Sequence, residues 1–238
     1  MTELEMKKYS RNALLGSFVS MLTAGLATMM YSVSISTIRT DLALTAVQAG
    51  SLGTYTFMGQ MLGGMVAGYL ADRYGRKNIL IVDVILATLA VFATSLLQSY
   101  SIFGILRFIT GVGLGGCYYI ASILIGEFVP TNKRGFMSGV ATSVWNFGYV
   151  VCCAMSAFAL PSIGWRWCFR ICALPIVFVI FMIFGMKDAP SFTAAKANRD
   201  KRDKEEGRKV NAYAEIWSHP RMRKSFIIWS ISMILYFY

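Results

Sequence analysis

Apolar runs of about 20 residues recur along this chain, each long enough to cross a hydrocarbon core ~30 Å thick as a helix. In lipid no water is at hand for backbone N–H and C=O groups. A spanning run must satisfy them within itself, which a helix does. The runs fall at Ala13–Ile35, Ala49–Leu70, Asn78–Leu97, Ile102–Ile125, Phe136–Leu160 and Trp165–Met186. Short turns join them, so consecutive helices are expected as antiparallel neighbours. A composition that is 56% apolar and 15% charged leaves no room for a soluble domain. The fold class is therefore an all-α membrane protein, a six-transmembrane-helix bundle over residues 13–186. Residues 1–12 read as a cytoplasmic tail and 187–224 as a charged cytoplasmic linker containing "AKANRDKRDKEEGRK". The last run, 225–238, reads as an incomplete seventh helix. From Phe226 to Tyr238 it would reach about 20 Å, short of the ~30 Å needed.

The net charge of +11 would suggest nucleic acid in a soluble protein. Here the charge sits in the connectors, and no basic-aromatic platform accompanies it, so no nucleic-acid partner is expected. Lys7, Lys8 and Arg11 lie in the tail, Arg73, Arg76 and Lys77 between spans two and three, and Lys133 and Arg134 between spans four and five. The opposite side has Arg39 and Arg166. Basic residues stay inside, which predicts a multi-pass protein of the plasma (inner) membrane with a cytoplasmic N-terminus. The first run is too long for a cleavable signal and has no small-x-small exit.

Enzymatic chemistry finds no foothold. The single histidine, His219, lies in the linker, and no G-x-S-x-G, Walker loop or metal-spaced cluster occurs. Cys117, Cys152, Cys153, Cys168 and Cys172 all sit in apolar runs without a C-x-x-C. Cys168 and Cys172 share a helix face, but five such cysteines read best as small apolar filler. No enzyme, cofactor or metal is expected.

One connector is denser than topology requires. "GYLADRYGRKNIL", Gly68–Leu80, sets Asp72 beside Arg73, Arg76 and Lys77 with Gly68 and Gly75 around them. Glycine permits a tight turn or a close backbone approach, and an acid among bases can form ion pairs that break and re-form. Gly68-x-Leu70-Ala71-Asp72-Arg73-x-Gly75-Arg76-Lys77 resembles the loop signature of the major facilitator superfamily, in its usual place between spans two and three. "RFITGVGLGG" resembles that family's R-x-x-x-G-x-G element through Arg107, Gly111, Gly113 and Gly115. Glu127, Pro130 and Arg134-Gly135 are similar to the E-x-x-P-x-x-x-R-G run of sugar-porter-like members, and "MKDAPSF" to the P-E-S-P segment after their sixth span. The resemblance covers essentially the whole chain, as an N-terminal six-helix half, and lies nearest the metabolite–proton symporter branch with its sialate and aromatic-acid carriers.

The resemblance implies two inverted three-helix repeats, a rocking motion against a missing C-terminal half, and a gating latch built from Gly68, Asp72, Arg73, Gly75, Arg76, Glu127 and Arg134. It implies secondary active transport of a small organic solute, an organic acid or a sugar-type metabolite, by alternating access with proton-coupled symport. Membrane lipid, the solute and protons are then the partners. Two alternatives stay open: a truncated non-transporting half or scaffold, and a neutral sugar uniporter or symporter. Span five lacks the G-x-x-x-G-P-x-x-G run of family drug antiporters.

Helical periodicity puts Arg107, Gly111, Gly115, Tyr118 and Ser122 on one stripe of span four. Ser138, Thr142, Asn146 and Tyr149 form another on span five; Ser17, Ser20, Tyr31 and Ser34 on span one; Gly53, Phe57, Gln60, Gly64 and Gly68 on span two. Arg107, Tyr118, Asn146, Gln60 and Tyr31 are the substrate-path candidates. For the glycines, including Gly59…Gly63, Gly64…Gly68, Gly111…Gly115 and Gly135…Gly139, helix packing is the favoured role. Many proton-coupled relatives have an acid in span one opposite the span-four arginine, and this span one has none. Arg107 is thus free to meet a solute carboxylate. Asp83 reads as an interfacial acid pairing with Arg76 or Lys77.

Overall fold

In the computed structural model each of the six apolar runs between residues 13 and 186 is built largely of helix. The structure describes residues 3–188 and the single positions 192, 220, 223, 224 and 228. The expected linker beyond Asp188 and the seventh span at 225–238 otherwise lie outside the described residues. Residues up to Phe192 form one compact unit, and 193–238 form another.

Helix α1 runs Glu3–Asp41, α2 Ala46–Tyr74, α3 Arg76–Thr94, α4 Tyr100–Phe128 and α5 Arg134–Phe158. The sixth pass is interrupted: α6 covers Leu160–Cys172, a single 3-10 turn covers Leu174–Ile176, and α7 covers Val177–Gly185. Its breaks have ordinary causes. Gly164 takes φ +76°, which strains any other residue, so the regular run starts at Trp165. Pro175 has no N–H to continue the ladder. No strand occurs among the described residues.

Five of the six passes are long and apolar enough to cross a membrane. The exception is α2, which is long enough, at 29 residues or about 43 Å, but diluted by glycines and by Gln48 and Gln60. Its N-terminus is fixed by a reciprocal capping box. The Gln48 amide N–H donates to Thr45 Oγ1 at 3.2 Å, and the Thr45 N–H donates to Gln48 Oε1 at 2.9 Å. At 39 residues, α1 is about 58 Å long, longer than a hydrocarbon core ~30 Å thick requires, and residues 3–12 of the expected tail are helical with it.

The bundle's main seams are α2 on α4, α3 on α4 and α1 on α5. Between α2 and α4, Gly59 and Gly63 of α2 press on the Phe108 and Val112 carbonyls, while Gly111 and Gly115 of α4 press on those of Thr56 and Gln60. Between α1 and α5, Gly25 presses on the Trp145 carbonyl, and Gly148 on the α1 backbone at Gly25 and Leu26. Small residues let membrane helices approach to backbone contact. Exchanging the first three passes with the last three carries the α2–α4 pair onto α5–α1, as an inverted repeat requires. Gly68, Gly135 and Gly139 meet nothing within 4 Å, so the packing role expected of those three is corrected.

Candidate functional site

Three groups of polar residues emerge from this packing. The first lies where α2 turns into α3. Gly75 adopts φ +102°, ending one helix and starting the next in a single residue. The turn is pinned from the far end of the unit: the Lys77 backbone N–H donates to Asp188 Oδ1 at 2.8 Å, and Lys77 Nζ donates to the Ile183 carbonyl at the end of α7. Arg76 forms an ion pair with Glu127 near the end of α4 and a looser one, 3.6 Å, with Asp72. Asp72 is 68% exposed, so it is presented outward. Arg73 donates to the Tyr69 hydroxyl at 3.4 Å and lies over the Tyr74 ring. Arg134 Nε donates to the Val129 carbonyl, where α4 ends, at 3.0 Å. The structure thus brings Asp72, Arg76 and Glu127 together at one corner, tied to the Gly75 turn. Arg73 and Arg134 serve neighbouring turns, and Gly68 stands open.

The Arg76–Glu127 pair is mostly sheltered, with exposures of 19% and 16%, and holds α3 to α4. A cycle of Arg76→Ala, Glu127→Ala and the double variant is expected to give a coupling of about 0.5–3 kcal/mol in thermal unfolding of the purified chain. Additive losses would show that the pair contributes nothing of its own.

The second group is inside. Arg107 is 0% exposed. Its guanidinium lies 5.0 Å from the Tyr31 ring centroid and 5.5 Å from that of Phe169. Tyr31 and Phe103 pack at 6.3 Å, Phe103 and Trp165 at 6.0 Å, and Trp165 and Phe169 edge-on at 5.6 Å. The Tyr31 hydroxyl donates to the Ala49 carbonyl of α2. Arg107 Nε and Nη2 have no hydrogen-bond partner. The expected stripe is corrected accordingly. Arg107 and Tyr31 lie within the α1–α4–α6 core, and Ser17, Ser20 and Ser34 are likewise buried. Near this core the C-terminal end of α1 and the N-terminal part of α6 are joined by Asp41, which accepts from Trp165 Nε1 at 3.0 Å and Arg166 Nη1 at 2.6 Å.

The third group is open. On α5, Ser138, Thr142, Asn146 and Tyr149 are all exposed, with Asn146 Nδ2 donating to the Thr142 carbonyl at 3.0 Å. Tyr118 of α4 is 43% exposed and meets Tyr119 edge-on at 5.7 Å. Ser122 is exposed, and Gln60 of α2 is half-buried. By contrast the exposed middle of α3 is Val82, Leu89 and Phe92, and that of α7 is Phe178, Ile180 and Phe184. Exposed polar groups on α4 and α5 thus stand among exposed apolar ones, such as Ile105, Phe147 and Val150, whereas the exposed middles of α3 and α7 are apolar.

Asp83 departs from expectation. It pairs with neither Arg76 nor Lys77, because both bases are committed elsewhere and Asp83 lies two turns deeper along α3. Gly25 and Gly148, which hold the α1–α5 seam, are not among the glycines that small-residue spacing picks out. Each glycine stands alone there, with no second glycine four residues away.

The sequence profile that matches residues 17–238 is that of the Major Facilitator Superfamily. A cis,cis-muconate transport protein of Acinetobacter baylyi is 30% identical over 220 residues, covering 92% of this chain and 53% of that protein. A niacin transporter of the same organism is 32% identical over 169 residues, covering 71% of this chain and 38% of that protein. The chain spans about half or less of the length of these curated relatives. Among solved structures, an inward-open xylose transporter from E. coli superposes with a TM-score of 0.69 over 92% of this chain and 56% of that one, at 20% identity. A proton:xylose symporter bound to 6-bromo-6-deoxy-D-glucose gives 0.69 over 79% of this chain and 47% of that one, at 21% identity.

Proposed function

The chain belongs to the major facilitator superfamily, whose members are transporters and not enzymes, and from that premise we propose that it forms one six-helix half of a secondary transporter for a small organic solute. The observation that carries this reading is a contrast between helices. Tyr118 of α4 and Thr142 and Asn146 of α5 are exposed and Gln60 of α2 is half-buried, while the exposed middles of α3 and α7 are apolar. Polar groups at mid-span on some helices and none on others suit half of a central passage in lipid. A second six-helix half would cover the helices that carry them, and alternating access would rock the two about the solute.

Among the described residues the exposed middles of these helices have no cation, since Arg107 is sealed behind Tyr31 and Phe169. This half would therefore hold the solute by neutral hydrogen bonds. The relatives named for muconate and niacin favour a carboxylate metabolite. The mode of uptake proposed for it is proton-coupled symport across the plasma (inner) membrane. The N-terminus and the Arg73 turn would then lie in the cytoplasm, with exposed Asp72 available to a partner half as a latch.

Uptake of radiolabelled muconate, nicotinate and xylose by cells expressing the chain together with a C-terminal six-helix half tests the proposal. Concentrative uptake of a carboxylate is expected, with Asn146→Ala and Gln60→Ala each raising KM about tenfold or more, as loss of a solute hydrogen bond of ~1.5 kcal/mol would do. Uptake of xylose alone would move the solute class to neutral sugars. No uptake of any solute by a pair that inserts and assembles would favour a non-transporting half.

A further inference from the structure

Asp83 is the one acidic side chain among the described residues that lies deep within a span. It is 6% exposed, and its Oδ2 is sealed without a hydrogen-bond partner. Three helices close around it. The α-carbon of Gly116 on α4 faces its carboxyl so closely that a methyl group there would overlap the oxygen, and Ala67 of α2 closes the same gap. One turn earlier, Gly113 presses on the Asp83 carbonyl and Ala87. The titratable side chain facing Asp83 from α4 is Cys117, itself fully buried. From α2 the methyl of Ala67 closes on it, and no described cation is within ion-pair distance. Arg76 is on the same face of α3, seven residues away or about 10 Å, but is held by Glu127 and Asp72.

The Oδ2 of a carboxylate in such a place would have neither water, donor nor counter-ion, whereas a neutral carboxyl needs far less. We propose that Asp83 is a proton-binding site, protonated while α2, α3 and α4 are closed on it and releasing its proton to water when the seam at Ala67 and Gly116 parts. The balance is simple: the carboxyl O–H breaks, the proton passes to water entering the seam, and the carboxylate stays on α3. Because α3 also carries Arg76, the proton and the latch act on one rigid element, so closing the seam and keeping the latch both favour the loaded form. The closed conformation binds the proton, hence falling pH favours closure and rising pH favours opening. The inference deepens the transport reading by naming a coupling proton, but proton occupancy itself does not require that any solute moves.

Infrared spectroscopy of the purified chain at neutral pH tests it directly. A protonated-carboxyl C=O band that shifts in D2O is expected, and Asp83→Asn is expected to abolish it. No such band, or one that survives in Asp83→Asn, overturns the proposal. If Asp83→Asn does not fold, Asp83→Glu keeps a carboxyl but moves it against Gly116, and the band is expected to shift; an unmoved band overturns the assignment. Hydrogen exchange at α4 amides 113–117, compared at matched intrinsic rates, is expected to rise with pH in the parent and not in Asp83→Asn. Equal pH dependence in both would refute the coupling to seam opening. Since no solute is used, a negative result leaves the transport reading intact, and a failed uptake assay leaves the band intact.

Discussion

Gly111→Leu is expected to abolish accumulation of the folded chain. At that position α4 lies on the backbone of α2, and even a β-carbon would overlap the Thr56 carbonyl oxygen and crowd the Gln60 nitrogen. A side chain in the way can rotate aside, but a backbone carbonyl engaged in its own helix cannot. Inserting methylenes into a well-packed core costs about 1–3 kcal/mol even where side chains yield. Here the helices themselves must separate, and Gly59, Gly63 and Gly115 lose their contacts together. Against a total stability on the order of 5–15 kcal/mol, that is sufficient to unfold the bundle. Gly111→Ala is expected to fold with a loss near the upper end of the 1–3 kcal/mol range. Gly126→Ala and Gly139→Ala, helical positions where an added β-carbon meets nothing within 4 Å, are expected to cost no stability and to gain up to about 1 kcal/mol. Size-exclusion profiles and thermal melts in detergent read all four. A Gly111→Leu chain that elutes and melts like the parent would disprove the account of the seam.

The second large effect concerns Arg107, where size and charge can be separated. Arg107→Ala empties a site lined by Tyr31 and Phe169, and truncation of a large buried side chain costs about 2–5 kcal/mol. Arg107→Met keeps most of the volume and removes a cation whose Nε and Nη2 have no partner. Replacing imperfectly satisfied buried charge with apolar volume is often neutral or stabilising. The lost cation–ring attraction, about 0.5–2 kcal/mol, offsets part of that gain. The expected order of melting temperature is therefore parent close to Arg107→Met, both well above Arg107→Ala. Uptake is expected to divide the variants differently, falling in Arg107→Met as well. The charge would then serve the rocking of α1, α4 and α6, not the fold. A methionine variant as unstable as the alanine variant would show instead that the guanidinium holds the core together.

Much of the architecture was legible in the residue order, and particular failures show where legibility stopped. The start of the sixth pass at Trp165 could be read because Gly164 interrupts the helix locally. The corner that joins Asp72, Arg76 and Glu127 could be read because the three sit in dense charge patterns. Yet Arg73 and Arg134, from the same patterns, bond to Tyr69 and Val129. The exposed stripe on α5 was found by its period, and so was the Ser17–Ser20–Tyr31–Ser34 stripe on α1, which proved to be buried. Asp83 was placed with Arg76 on nearness in sequence, but those bases already had partners.

By itself the sequence determined how many times the chain runs as helix and where most passes begin and end. Lipid leaves a backbone only one local way to satisfy its amides, and that constraint acts run by run. Tertiary structure alone decided which polar stripes open outward, which glycines carry a seam, and that Arg107 and Asp83 are both sealed inside. Periodicity says which residues share a helix face. What that face meets depends on the rotation of the helix about its own axis, and only packing against the other helices sets that rotation.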